Sequence, residues 1–364
     1  MAVTSTQASR ERARSRFGGV GGARGIAGRL GAYQSGGLLV ALVLLSVFFG
    51  FQSARFWTSS NLKVILLQVA VVGIVAVPGA MLVLCGYVDL SVGSVGVLAV
   101  AVFGQLVKVD HTSVLVGLLG GLGVGTAWGL MNGFLISYLD FSPIVVTLGG
   151  YAGARGLAEA LTHDVTQFGF GNSFDTLGNG TVLGVPLPGV IFIVVFLVGA
   201  YVWYVMPTGR HMTAVGANKV AARDLGVSVR RIPFLLYVLS GLAAALGGLI
   251  MTAELDSASL SIGVGLELQV LTAILLGGVA FSGGRGSLWG VLFGVLFVGV
   301  LYNGLVLVNV GPYYADLVVG IVLILAAGSD AFYRRLERLP VRVAEDREEE
   351  PTKPKPASPA GRGV

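Results

Sequence analysis

The chain has 364 residues, 54% of them hydrophobic and 12% charged, with a mean hydropathy of +0.83 and a formal net charge of +5. Ordinary soluble domains carry about 25% charged residues, so this composition excludes a string of soluble domains and places the chain in a bilayer. A single cysteine, Cys85, excludes an internal disulfide and a cysteine metal cluster.

Residues 1–36 are polar, with Arg10, Arg12, Arg14, Arg16, Arg24 and Arg29 among Gly and Ser, and read as a disordered basic cytoplasmic tail. The apolar core that follows runs into Phe48, Phe49 and Phe51 without a small-residue cleavage site, so a cleaved signal peptide is not expected. A membrane-crossing helix needs about 20 apolar residues. Ten such stretches are predicted, at 37–52, 62–84, 88–108, 113–138, 143–162, 187–206, 233–253, 266–281, 286–309 and 313–329. The expected fold is therefore all-α, a polytopic bundle of about ten transmembrane helices over residues 37–329. The boundaries at Gly86–Asp89 and Ser282–Arg285 read equally as loops or as broken or re-entrant helices. Residues 330–364 end in a charged, proline-rich segment that cannot bury a core, and read as a second cytoplasmic tail.

Ten crossings satisfy the positive-inside rule. With the N-terminus inside, the loop at 207–232 and the residues Arg334, Arg335 and Arg338 both fall inside. Outside loops then keep chiefly Arg55 and Lys108, and the segment 163–186 has no Lys or Arg at all.

Two glycine ladders follow a four-residue spacing: Gly117, Gly121, Gly125, Gly129 and Gly133 in the fourth span, and Gly286, Gly290 and Gly294 in the ninth. Such spacing aligns glycines on one ridge where backbones can approach closely. Each ladder's helix later carries an Asn-Gly pair, Asn132-Gly133 and Asn303-Gly304. Two readings stand: an inverted internal repeat, as many transporters have, or ordinary helix packing.

The central polar stretch, Thr208 to Arg231, carries Arg210, Lys219, Arg223, Arg230 and Arg231 between two hydrophobic regions. Asn218 is a good helix N-cap, Val220 to Leu225 favour helix, and Gly226 can take the left-handed conformation that ends one. A short surface helix just outside the membrane is predicted; the alternative is a basic loop that only orients the protein.

The pattern of Ala214, Gly216, Asn218, Ala221, Ala222, Arg223, Gly226, Val227 and Val229 resembles the coupling segment of ABC importer permeases, most closely the ribose/xylose/galactoside type. The likeness extends to Gly86–Ser94, to Pro143–Gly149, to Leu276-Gly277-Gly278 with Gly283–Ser287, and to Pro312-Tyr313, over roughly residues 60–330. Tyr87 departs from it, standing where that family usually has a second glycine. The resemblance implies that Ala214, Gly216, Asn218, Ala221, Ala222, Arg223 and Gly226 form the element that fits a groove on an ATP-binding subunit. It also implies an extracytoplasmic sugar-binding protein facing the 163–186 segment, and a second permease copy or a homologue as partner.

No phosphate-cradling G-x-x-x-x-G-K-[ST] or G-x-G-x-x-G pattern occurs, nor H-E-x-x-H, C-x-x-C or G-x-S-x-G. The expectation is a permease, not an enzyme: no cofactor or metal on this chain, ATP and Mg on the partner ATPase, lipid around it and no nucleic-acid partner. His111, His163 and His211 are placed in loops. Ionisable groups inside spans cost about 2.5–3.5 kcal/mol on insertion scales, so each needs a reason. Arg155 and Glu159, four apart on one helix face, can pair; they line the pathway or clamp the structure. Asp89 is read first as a cap for the third span and second as a substrate contact, and Glu267 as a helix-start acid. Asn132 and Asn303 are candidate partners for a neutral sugar, with Gln68 and Gln269.

These readings point to the membrane subunit of an ATP-driven monosaccharide importer in a bacterial plasma membrane, with both termini inside. Branched-chain amino acid permeation, ion-driven transport and a pathless scaffold role are the alternatives.

Overall fold

A computed structural model describes residues 36–338, and for side chains residues 36–328 except Pro312. Both tails read from the sequence lie outside this range, apart from Gly36 and residues 330–338. Each of the ten predicted stretches contains a helix: α1 (Gly36–Gln52), α2 (Ser59–Leu84), α3 (Val92–Gly104), α4 (Val114–Ser137), α5 (Pro143–Thr162), α7 (Leu187–Ala200), α10 (Arg231–Leu255), α11 (Leu266–Leu276), α12 (Leu288–Leu307) and α13 (Pro312–Arg338). Three short helices lie between them: α6 (Asn172–Asn179), α8 (Pro207–Ala217) and α9 (Lys219–Asp224). Single π-turns, Gln105–Val109 and Tyr201–Val205, extend α3 and α7.

Six of these helices are long and apolar enough to cross a membrane by length and composition: α2, α3 with its π-turn, α4, α7 with its π-turn, α10 and α12. α1, α11 and the 313–328 part of α13 are apolar but shorter. α5 has the length, but Arg155, Glu159 and its glycines lower its apolar content.

The two ambiguous boundaries are breaks between separate helices. α2 stops at Leu84 because Gly86 turns the chain left-handed at φ +81°, and α3 begins only at Val92. α11 stops at Leu276, short of the predicted 281, because Gly278, Gly283 and Gly284 all have φ near +80°. Left-handed φ carries no steric cost at glycine. α13 continues to Arg338, past the predicted end of the last span.

α2 and α10 form an antiparallel central pair. Gly247 faces Val71 and Val75, while the Tyr237 hydroxyl donates to the Val88 carbonyl at 3.0 Å. The remaining helices flank this pair in a matched way. α3 packs on α4 and α5 as α11 packs on α12 and α13, and α4 lies on α10 as α12 lies on α2. Two like groups thus flank the antiparallel pair, an arrangement that needs close helix packing. The glycine ladders serve it. A Cβ at Gly125 would sit 2.5 Å from the Ala245 Cβ and the Gly241 oxygen, and one at Gly133 2.9 Å from the Phe234 oxygen. In α12, Gly290 and Gly294 lie against Gly277 and Ala273 of α11. The two Asn-Gly pairs are not equivalent, however: Asn132 bonds Ser91, whereas Asn303 bonds Asn61.

The segment 163–186 is a folded cap. β1 (Gln167–Phe168) pairs antiparallel with β4 (Ser257–Ala258), and β2 (Thr181–Val182) with β3 (Val185–Pro186). Phe170 and Phe174 insert against Phe103, with ring centroids 4.9 and 4.3 Å away, in a cluster with Val100, Leu249 and Ile262. Lys108 donates to the Gly169 carbonyl and lies over the Phe170 ring.

Candidate functional site

Three stretches far apart in sequence meet at the end of the bundle opposite this cap. The tip of α2 with Gly86, the C-terminal part of α8 with Gly216, and the Gly283-Gly284 turn touch backbone to backbone. The Gly284 N–H donates to the Leu84 carbonyl at 2.8 Å. A Cβ on Gly283 would sit 2.7 Å from the Gly86 nitrogen, and one on Gly284 2.9 Å from the Ala217 Cα. A Cβ on Gly216 would collide with the Leu84 oxygen. Glycine is required at Gly283 and Gly284 by proximity as well as by φ, and at Gly216 by proximity alone.

The central stretch leaves this junction as two helices, not one. α8 starts on Pro207, whose fixed φ and missing N–H suit a first helical position, and it places His211 on a helix rather than in the predicted loop. Asn218 ends α8 and starts α9, its side-chain oxygen accepting from Val220 N–H at 3.1 Å and Ala221 N–H at 3.0 Å. Gly226, at φ +79°, closes α9 with its N–H donating to Arg223. Cap, helix and stop are as the sequence predicts.

The residues predicted to couple separate into two faces. Ala222, Met212, Val215 and Val229 are buried, and Gly216 and the half-buried Ala214 lie toward the membrane domain. Ala221, Arg223 and Gly226 face outward, together with Val220 at 67% and Leu225 at 83% exposure. Those two apolar side chains were missed by the sequence reading. Their signal was available: two large aliphatics in an otherwise polar segment of Ala, Lys, Arg and Asp.

Asp140, in the α4–α5 turn, holds both ends of this segment. Its carboxylate accepts from Lys219 at 3.2 Å and from Arg230 at 3.4 Å. The Lys219 hydrogen bond and charge hold the Asp140 carboxyl below its ordinary range, with Arg230 assisting. Partial burial of Lys219 works against its charge, but Tyr87 and Asp140 outweigh it and hold the ammonium above its ordinary value. Beside them a cavity of about 150 Å³ is lined by Gly86, Tyr87, Val88, Ser142, Pro143, Ile144 and Phe281. It brings together the stretches beginning at Gly86 and Pro143 with Phe281, two residues before the glycine turn.

From Tyr87 the broken segment leads into the bilayer. Asp89 does not cap α3 through the helix's free amides, as predicted. Ser91 stands at the cap position without a side-chain cap bond, and Asp89 accepts from the Ser91 N–H at 3.0 Å, the Ser91 hydroxyl at 2.6 Å and the Ser240 hydroxyl of α10 at 2.8 Å. Asn132 of α4 donates to the Ser91 hydroxyl at 3.0 Å. One carboxylate thus ties α3, α4 and α10 together. Glu267 lies in the first turn of α11 as predicted, its Oε2 against Gly93, and shares with Asp89 and Ser240 a cavity of about 10 Å³.

The other predicted residues are elsewhere. Arg155 and Glu159 pair at 2.9 Å, and Arg155 also donates to the Leu260 carbonyl at 2.8 Å, tying α5 to the cap. Asn303 and Asn61 exchange two amide hydrogen bonds of 3.1 Å, with Asn61 also bonded to Phe56. Both asparagines are buried and joined to each other, a clamp between α2 and α12.

The family described as "Branched-chain amino acid transport system / permease component" matches residues 61–327. The ribose import permease of Bacillus subtilis is 34% identical over 81% of this chain and 92% of its own length. That of Escherichia coli K12 is 36% identical over 79% and 91%. The L-arabinose ABC transporter permease of Azospirillum brasilense is 35% identical over 85% and 91%.

Proposed function

The chain belongs to the branched-chain amino acid transport system / permease component family, and from that premise we propose that it is the membrane subunit of an ATP-driven, binding-protein-dependent monosaccharide importer. The junction of the α2 tip, α8 and the Gly283-Gly284 turn carries this reading, because it joins an exposed cytoplasmic helix rigidly to the membrane bundle. The relatives named above are permeases of ribose and arabinose systems, which favours a pentose or similar sugar over an amino acid.

In this reading all ten stretches cross the membrane and both termini are cytoplasmic. The outward face of α9, with Val220, Ala221, Arg223 and Leu225, fits the groove of an ATP-binding subunit that holds ATP and Mg. The cap built on 163–186 meets the sugar-loaded binding protein. The cavity beside Asp89 and Glu267 holds about one water at most, so a sugar passes elsewhere, along a path framed by two copies or by one copy and a homologue. Both Asp89 oxygens already accept hydrogen bonds from Ser91 and Ser240, which counts against an ion-driven cycle resting on that pair. ATP binding shifts the bundle between access states only by as much as its differential affinity for them.

The test is uptake of labelled ribose, arabinose, fructose, allose and leucine by cells lacking or carrying the chain, with its ATPase captured in mild detergent. ATP-dependent uptake of one sugar with a co-purifying ATPase supports the reading. Leucine uptake alone, or uptake that follows an ion gradient without any ATPase, overturns it.

A further inference from the structure

Tyr87 is one residue at which this chain departs from the resemblance, and it stands where the central polar segment meets the Asp89 network. Its ring is buried, only 9% exposed. Lys219, the first residue of α9, places its ammonium 5.8 Å from the ring centroid, inside the roughly 6 Å reach of a cation–π contact. The same ring makes a T-shaped contact with Tyr237, centroid to centroid 6.4 Å. The Tyr237 hydroxyl in turn holds the carbonyl of Val88, the next residue along from Tyr87, at 3.0 Å. Asp89 follows, with its bonds to Ser91 and Ser240, and Asn132 closes the line on Ser91. Every step from the docking helix to the interior is a direct contact.

We propose that Tyr87 is a positioning residue for energy coupling, acting through Lys219 on one side and the Val88–Asp89 backbone on the other. It makes the α2–α3 break follow the first turn of α9. The inference rests on the functional reading above. A glycine at 87 would leave the Gly86, Gly216 and Gly284 junction intact but put no side chain between Lys219 and Tyr237. Both contacts are made by the ring, and among the described residues the buried Tyr87 hydroxyl has no hydrogen-bond partner, so the hydroxyl is dispensable to the link and the aromatic ring is not.

The test uses the full chain with its ATPase and binding protein in proteoliposomes, measuring labelled ribose moved per ATP hydrolysed, or the sugar the uptake panel selects. Tyr87→Ala and Lys219→Met should each lower that ratio about threefold or more while ATP hydrolysis continues. The double variant should be no worse than either single one, because both remove the same contact. Tyr87→Phe should keep the wild-type ratio. Asp140→Asn, which removes the ion pair but leaves the cation over the ring, should lower it less than Lys219→Met. Wild-type ratios in Tyr87→Ala and Lys219→Met, or effects that add in the double variant, would overturn the proposal. If Tyr87→Ala does not accumulate in membranes, Tyr87→Leu, which keeps bulk without a π face, takes its place with the same expectations. Failure of the wild-type complex to move any sugar is a separate result, and strikes the functional reading rather than the role of Tyr87.

Discussion

The two ends of the bundle are held by different means. At the end that carries α8 and α9, α2, α8 and the Gly283-Gly284 turn meet through main chain, with a hydrogen bond from Gly284 to Leu84 and no room for a Cβ at Gly216. At the opposite end, Phe103, Phe170 and Phe174 fill a side-chain cluster closed by a two-residue strand pair. Backbone contacts have one fitting geometry and transmit displacement, whereas an aromatic cluster tolerates repacking if its volume is kept. The first arrangement suits a mechanical joint and the second a lid.

The sharpest way to break this contrast is Gly216→Val. Overpacking costs about 1–3 kcal/mol where neighbours can yield, and here the neighbour is main chain, so we expect almost no uptake. Membrane levels and uptake of the tagged protein check it. Next come changes that leave the joint intact but spoil its outer face. Arg223→Glu, Leu225→Asp or Gly226→Val should leave the protein inserted while abolishing uptake and ATPase capture; full uptake at normal levels would remove the docking assignment. Gly226→Val acts by strain, since a left-handed residue costs roughly 1–2 kcal/mol outside glycine, and nothing stands within 4 Å to clash.

At the other end, Phe174→Ala should cost about 3–5 kcal/mol of local stability, seen as a lower melting temperature in detergent. Sugar moved per ATP by the surviving protein should stay unchanged. Asn303→Ala strands the Asn61 amide and should cost about 1–3 kcal/mol, again in melting rather than coupling. The smallest effect concerns pH. Asp140 is held below the ordinary carboxylate range, so its contribution is complete above that range and is lost only as pH falls through the depressed folded value. Coupling should therefore show no Asp140-dependent change between about pH 5.5 and 8, which comparison of wild type with Asp140→Asn across that window would reveal.

The same contrast explains what the sequence made legible. Where backbones touch, only glycine fits, so the ladder glycines from Gly121 to Gly133 stood out by their spacing, and Gly216 and Gly283 by the pattern they share with the family. Cap and stop, Asn218 and Gly226, were legible for the related reason that few residue types can serve there. The outer cap was not, because its aromatic residues are ordinary hydrophobics whose partners, such as Phe103 and Ile262, lie far away in sequence. The role of Asp89 was misjudged because a local cap needs only neighbours, while its bond to Ser240 depends on tertiary structure. Asn132 and Asn303 look alike in sequence and differ in space: one joins a network around a carboxylate, the other locks two helices.

α9 has six residues, all within one turn of an end. Isolated helices that short do not persist in water, because nucleation is unfavourable and little propagation follows. Its order therefore depends on Asn218, Gly226 and the buried Ala222, and through them on the surface the membrane domain presents. On the proposed docking of an ATPase at α9, thermodynamic linkage runs both ways: whatever that ATPase would do to the bundle, a change of access state in the bundle would do, with equal free energy, to its affinity for α9. Under the proposed function, ATPase affinity would therefore report which side of the membrane the path is open to.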